Sequence, residues 1–205
     1  MSADLPFEER MELLEKAVLS YRVLTQLKFL LLLAHKNKTF YVELIYLPSA
    51  FVHIAGINKL KDLYIFCDSS ASIYRQLIKD DKLKQKIAKS SLFSLIEDRL
   101  HGIINLCNSM TENKGVEYFK ISGLNNFNYT LIRFDYLVRF TEEREKTNYF
   151  YRHRNDSINP NEYLLISTFK EKFKDYSKGL MRLSILNEEI QNISSKKTMI
   201  IFKRN

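Results

Sequence analysis

The period of the apolar residues changes once along this chain, near Gly115, and that change limits the folds open to it. Before it, apolar side chains recur every three or four positions, as on a helix; after it they alternate, as on a strand. Over residues 6–35, Leu14, Val18, Tyr21, Leu24 and Phe29 keep near-helical spacing opposite a charged face, which predicts one long amphipathic helix. Asp4 stands at the N-cap place, Pro6 falls in the first turn, and Glu8, Glu9 and Glu12 suit the positive end of the helix dipole. Residues 40–47 are β-branched and aromatic and predict a strand that stops at Pro48. Residues 51–60 and 71–79 predict short helices, with Cys67, Asp68, Ser69 and Ser70 between them as cap material, and 82–110 predict a second long helix. Beyond Gly115, residues 116–121, 129–140, 147–152, 162–169, 179–186 and 198–203 predict strands. Helices first and strands after them argue an α+β fold with a mostly antiparallel sheet.

At 205 residues the chain can bury a large core as one domain. With 14 Phe and 12 Tyr but 5 Gly and 3 Pro, it is built to pack rather than to flex. Cys67 and Cys107 are too few for a disulfide framework and lack zinc-site spacing, so both are expected as reduced core residues. No basic leader opens the chain and no apolar run approaches the ~20 residues that span a bilayer, so the expected address is the cytoplasm, with no membrane partner. The net charge of +8 is uneven: residues 1–48 balance, while 167–205 hold nine basic against four acidic side chains. Such an excess suits a polyanion, because a phosphate backbone sheds counterions as Lys and Arg approach. An ordinary solvated surface explains the same count.

Phosphate-loop, dinucleotide-glycine, nucleophile-elbow and zinc-helix motifs are absent. The four histidines, at 35, 53, 101 and 153, show no ligand spacing, which disfavours a metal-dependent nuclease. RNA can be cut without a metal or other cofactor when a base takes the 2′-hydroxyl proton and cations hold the phosphate. His53 is the leading candidate, in Phe51-Val52-His53-Ile54-Ala55-Gly56-Ile57 with Lys59 close behind and Gly56 allowing a close approach; the segment equally fits a partly buried, hydrogen-bonded histidine. Arg152, His153 and Arg154 follow three aromatics and could stack a base and clamp a phosphate, or form an edge strand running into a turn. Lys170, Lys172 and Lys174 alternate, so along a strand they would share one face, functional or merely solvated. His35 and His101 read as structural.

The His53 segment, followed by Tyr163-Leu164-Leu165, by residues 178–186 containing Ser184-Ile185-Leu186, and by a closing strand, resembles the phage-associated fourth subgroup of the barnase, EndoU, colicin and RelE-like nuclease superfold. The resemblance implies a curved antiparallel core over residues 40–205, with a helical insertion around 71–110 and the 1–39 helix outside it. It further implies a metal-independent endoribonuclease, a toxin or phage-conflict effector, acting on RNA such as tRNA and leaving a 2′,3′-cyclic phosphate. On that resemblance His53 is the general base or acid, Ser184 orients the phosphate, and Lys170 is a phosphate-binding cation. From the residues themselves Arg182 is expected to help neutralise the phosphate, with Lys59, Arg152, His153, Arg154 and Lys172 as further substrate contacts. An antitoxin or activator would be the protein partner, and the N-terminal helix would offer a dimer or inhibitor surface. A non-catalytic module that binds RNA or protein is the alternative.

Overall fold

A computed structural model describes residues 5–63, 69–112, 115–121, 133–142, 145–172 and 174–204. The chain is α+β. Helix α1 (Phe7–Thr25) buries Leu14, Val18, Tyr21 and Leu24 at helical spacing and starts with Pro6 as its N-cap. The predicted Asp4 cap lies outside the described residues. Strands β1 (Leu27–His35) and β2 (Lys38–Ile45) follow as a hairpin. The expected helix through His35 is therefore ten residues too long. The leucine-rich run has strong helix formers, but Phe29, Leu31 and Leu33 point into the core while both edges of β1 pair, and that burial outweighs local propensity.

After β2 come a 3₁₀ turn (Pro48–Ala50), the one-turn helix α2 (Phe51–Ile54) and a second 3₁₀ turn (Ile57–Lys59). Helices α3 (Ser70–Lys79), α4 (Asp81–Ala88) and α5 (Ser94–Glu112) complete the helical part. The predicted single helix over 82–110 is broken between α4 and α5, where Asp62 accepts hydrogen bonds from the hydroxyl of Ser90 (2.8 Å) and the backbone amide of Ser91 (2.9 Å). Side chains of that kind offer the backbone an alternative to the helical ladder. Cys67 and Asp68 lie outside the described residues; Cys107 is buried on α5 with a free thiol.

The remaining strands are β3 (Val116–Lys120), β4 (Tyr136–Glu142), β5 (Glu145–His153), β6 (Glu162–Lys170), β7 (Met181–Asn192) and β8 (Thr198–Lys203). Residues 129–132 of the predicted fourth strand lie outside the described residues. In space the order is β1-β2-β6-β5-β4-β3-β7, and β7 pairs back onto β1, so seven strands close a barrel with β8 added to β7. The pairings are antiparallel except β2 with β6, where Glu43 lies opposite Glu162. A closed barrel with one parallel seam goes beyond the curved, mostly antiparallel sheet expected from the sequence. Strand β7 also runs to Asn192, past the predicted end at 186, because residues 187–192 pair with β1 on one edge and 187–191 with β8 on the other, which places Glu188 inside the barrel opposite Leu31. One apolar core joins α1, α2, α3 and α5 to the inward side chains of the strands. Thus α1 packs as part of that core rather than outside it. Among the described residues no helix is long and apolar enough to cross a membrane.

Candidate functional site

His53 sits on α2, immediately beyond the end of β2, and α2 packs against β6. Its neighbours Phe51, Val52 and Ile54 are buried, which pins the helical turn and leaves His53 facing outward. Arg99 of α5 donates from Nη1 to the carbonyls of His53 and Ile54, both at 3.2 Å, and its guanidinium lies 4.8 Å from the centre of the Phe169 ring. Gly56 has φ +77°, and a Cβ there would come within 2.8 Å of Arg99 Cδ. The close approach anticipated at Gly56 is thus made by the Arg99 side chain. Burial, then the charges of Arg99 and Lys59, hold the His53 pKa below its ordinary 6.5, so the imidazole is neutral at pH 7 and able to accept a proton.

Beside His53 opens a hollow of about 540 Å³, walled by Leu47, Ser49 and Ala50 on one side and by residues 164–167 of β6 on the other, with Arg133 and Arg152 at its rim. Four successive β6 residues reach it because Ile166 is an extra residue between the pairs Tyr151–Leu165 and Phe150–Ser167. A bulge of this kind turns a strand's side chains off their regular alternation. Among the described residues no carboxylate lines the hollow, and neither Arg133 nor Arg152 has an ion-pair partner. An adjoining recess shares the two arginines and adds Asp135, whose Oδ2 accepts from the His153 amide at 2.7 Å. The hollow brings together two guanidinium groups, an imidazole and the hydroxyls of Ser49 and Ser167, groups whose chemistry suits a phosphate or carboxylate.

Comparison with protein-family models, with curated proteins and with solved structures found no match. The site therefore rests on its own geometry.

Of the residues singled out from sequence, the structure brings His53 and Arg152 together. Ser184 is elsewhere. It pairs with Ala34, itself opposite Thr39 at the start of β2, whereas His53 follows the other end of that strand, so the length of β2, about 20 Å at ordinary strand rise, lies between them. A joint role for His53 and Ser184 at one phosphate is excluded by that placement. Lys170 pairs with Glu145 (2.8 Å), Lys172 with Asp98 (2.6 Å) and Arg182 with Glu117 (2.8 Å). Strand β6 ends at Lys170, so the three lysines do not share a strand face. Arg154 is engaged by Asp156 (3.0 Å) and Glu162 (3.5 Å). The His153 ring is 5.7 Å edge-on to Tyr163, and Tyr149, Phe150 and Tyr151 are buried, so that cluster has no ring free for a base. Lys59 is exposed one turn beyond His53, with a pKa lowered by burial and by Arg99.

Four polar residues of the site, Arg99, Arg133, Ser49 and Ser167, were not singled out. Arg99 had a signal, a charge among Ile96, Leu100 and Ile103 on the apolar face of α5. Arg133 had none, since its place beside Arg152 depends on β4 and β5 pairing. Among the described residues no three His, Cys, Asp or Glu come together as a metal-ligating group.

Proposed function

We propose that this protein binds RNA at the His53 hollow, with a backbone phosphate between Arg133 and Arg152, and cleaves it by attack of the adjacent 2′-hydroxyl. Neutral His53 takes the 2′-hydroxyl proton, the 2′-oxygen bonds to phosphorus, and the 5′-oxygen leaves with a proton from water, giving a 2′,3′-cyclic phosphate. The two guanidinium groups offset charge building on the phosphoryl oxygens. The observation that carries this reading is the meeting of a histidine of lowered pKa with two arginines that have no ion-pair partner among the described residues. The likeness of the His53 segment to the barnase, EndoU, colicin and RelE-like nucleases points the same way, and with it the role of a toxin or phage-conflict effector. In this reading Ser184, Lys170 and Arg182 stand outside the reaction.

One observation favours a second reading, RNA binding without cleavage. Among the described residues lining the hollow, His53 is the one group that can exchange a proton near pH 7, and none of the others is placed to protonate the leaving oxygen. The test is incubation of purified protein and its His53→Ala variant with total cellular RNA and with tRNA, in EDTA, followed by a gel. Cleavage by the wild type that the variant lacks supports the ribonuclease. Intact RNA that is nevertheless shifted by both proteins supports the binding module, and equal cleavage by both removes His53 from the mechanism.

A further inference from the structure

The His53 hollow does not end at Ser49. Leu47 and Ser49 also line a second hollow of about 460 Å³, on the far side of the 3₁₀ turn over Pro48–Ala50, with Arg22 of α1 and Arg75 of α3 at its sides. Both arginines are exposed, and among the described residues neither meets a carboxylate. Arg75 Nε donates to the Ala71 carbonyl at 3.1 Å, which draws its guanidinium back along α3. Ala71, Tyr74, Arg75 and Ile78 all line the hollow, so it runs along one face of α3.

Three recesses thus lie in a row, joined in pairs by shared walls: Arg133 and Arg152 join the first two, Leu47 and Ser49 the second and third. The row carries four arginines. Among the described residues its one carboxylate is Asp135, at the far end, where Oδ2 accepts from the His153 amide. Between the arginines the walls are mostly apolar, from Leu47, Leu164 and Ile166 to Pro48 and Ile78, with the hydroxyls of Ser49 and Ser167 among them. Alternation of cationic and apolar wall is what a single strand requires, phosphates on the cations and unstacked bases against apolar surface. Hollows of about 540 and 460 Å³ accept nucleotide-sized groups rather than a rigid duplex.

We propose that single-stranded RNA runs from the His53 hollow across Leu47 and Ser49 into this second hollow, where Arg22 and Arg75 hold a further phosphate. The proposal rests on the reading of the His53 hollow as an RNA site and adds its direction and minimum length. The ligand is extended and unpaired, so a short RNA held at His53 leaves the second hollow empty while a longer one fills it.

The test is fluorescence anisotropy of labelled uridine oligonucleotides, a dinucleotide and a dodecanucleotide, with the wild type, Arg22→Ala/Arg75→Ala, Arg133→Ala/Arg152→Ala and, for generic charge loss, Lys82→Ala/Lys86→Ala on the exposed face of α4. Removing Arg22 and Arg75 is expected to weaken dodecanucleotide binding about tenfold, to leave dinucleotide binding unchanged, and to make the salt dependence shallower. The α4 variant is expected to match the wild type within about twofold, since its charges lie off the path. Because Arg22 and Arg75 are exposed, thermal unfolding of all variants is expected to coincide, and that trace is recorded alongside. If the dodecanucleotide binds in a manner dependent on Arg133 and Arg152 but indifferent to Arg22 and Arg75, the second subsite is overturned and the first stands. If the wild type binds neither oligonucleotide, both fall. If Lys82→Ala/Lys86→Ala weakens binding as much as Arg22→Ala/Arg75→Ala, the effect is diffuse charge and the second subsite is likewise overturned.

Discussion

The two ends of strand β2 differ in how they use positive charge. At the end that leads into α2, Arg133 and Arg152 stand beside a neutral histidine, with no carboxylate among the described residues that line the hollow. Toward the other end, around Ser184, the nearby cation Arg182 is matched by Glu117, which also takes Arg139 at 2.7 Å. The basic tail that gives residues 167–205 their excess is therefore partly spent on internal pairs. An ion-paired cation must give up its carboxylate before it can take a phosphate, so availability rather than number decides where a polyanion is held.

The sharpest way to break this contrast is at His53. Loss of the imidazole in His53→Ala is expected to lower RNA cleavage by a factor of about 100 or more, the usual range for a general base. Because burial, Arg99 and Lys59 lower the His53 pKa, the base form persists below pH 6.5, so kcat/KM of the wild type is expected to rise with pH through an inflection below that value and then level off. An inflection above 6.5, or none, would place the base elsewhere.

Next in size is Gly56→Ala. The left-handed φ costs about 1–3 kcal/mol for a residue with a Cβ, and that Cβ would also push Arg99 away from the His53 and Ile54 carbonyls. Chemical denaturation is expected to register the loss in stability, and cleavage is expected to fall with the displaced turn. A variant as stable and active as the wild type would show that Arg99 does not position His53.

A third test concerns charge inside the barrel. Glu188 on β7 is buried with neither carboxylate oxygen hydrogen-bonded, near a Tyr118 hydroxyl that also has no partner. Burial raises its pKa from 4.5 to about 8. The folded state therefore keeps a proton that the unfolded state gives up, and stability is expected to fall as pH rises between these values, by at most about 1.4 kcal/mol per pH unit. Glu188→Gln, which stays neutral, is expected to flatten that slope and to be the more stable protein at pH 8. Equal slopes for both proteins would mean that Glu188 finds a partner. The smallest effect is expected at Ser184→Ala: cleavage and RNA affinity within about twofold of the wild type, as for an exposed side chain remote from the site. A large loss there would abolish the distinction between the two ends.

Much of the fold can be read along the chain. The alternating segments after Gly115 become β3 to β8, and helical spacing marks α1, α3 and α5, because each buries one face and burial imposes its period. Leu27–His35 hides its period: with leucines on both faces, neither helix nor strand is excluded until β2 and β7 pair with it. Barrel closure and the parallel seam depend on contacts distant in sequence and leave no local mark. The candidate site divides the same way. His53 is conspicuous in its apolar segment and Arg152 in its basic one, whereas Arg133 joins them through strand pairing alone. Ser184 and Lys170 owe their expected roles to the resemblance, whose short segments carry no information about which end of the barrel they occupy.

The most direct measurement compares two double variants, Arg133→Ala/Arg152→Ala and Lys170→Ala/Arg182→Ala, for affinity toward a single-stranded RNA across a salt series. Each removes the same charge. Loss of the hollow's arginines is expected to weaken binding at least about tenfold and to make the slope of log affinity against log salt shallower by about 1.4, as for two phosphate contacts on a single strand. Loss of the ion-paired cations is expected to leave both affinity and slope at wild-type values. Equal losses for the two variants, or a larger loss for Lys170→Ala/Arg182→Ala, would contradict the placement of the phosphate site at His53.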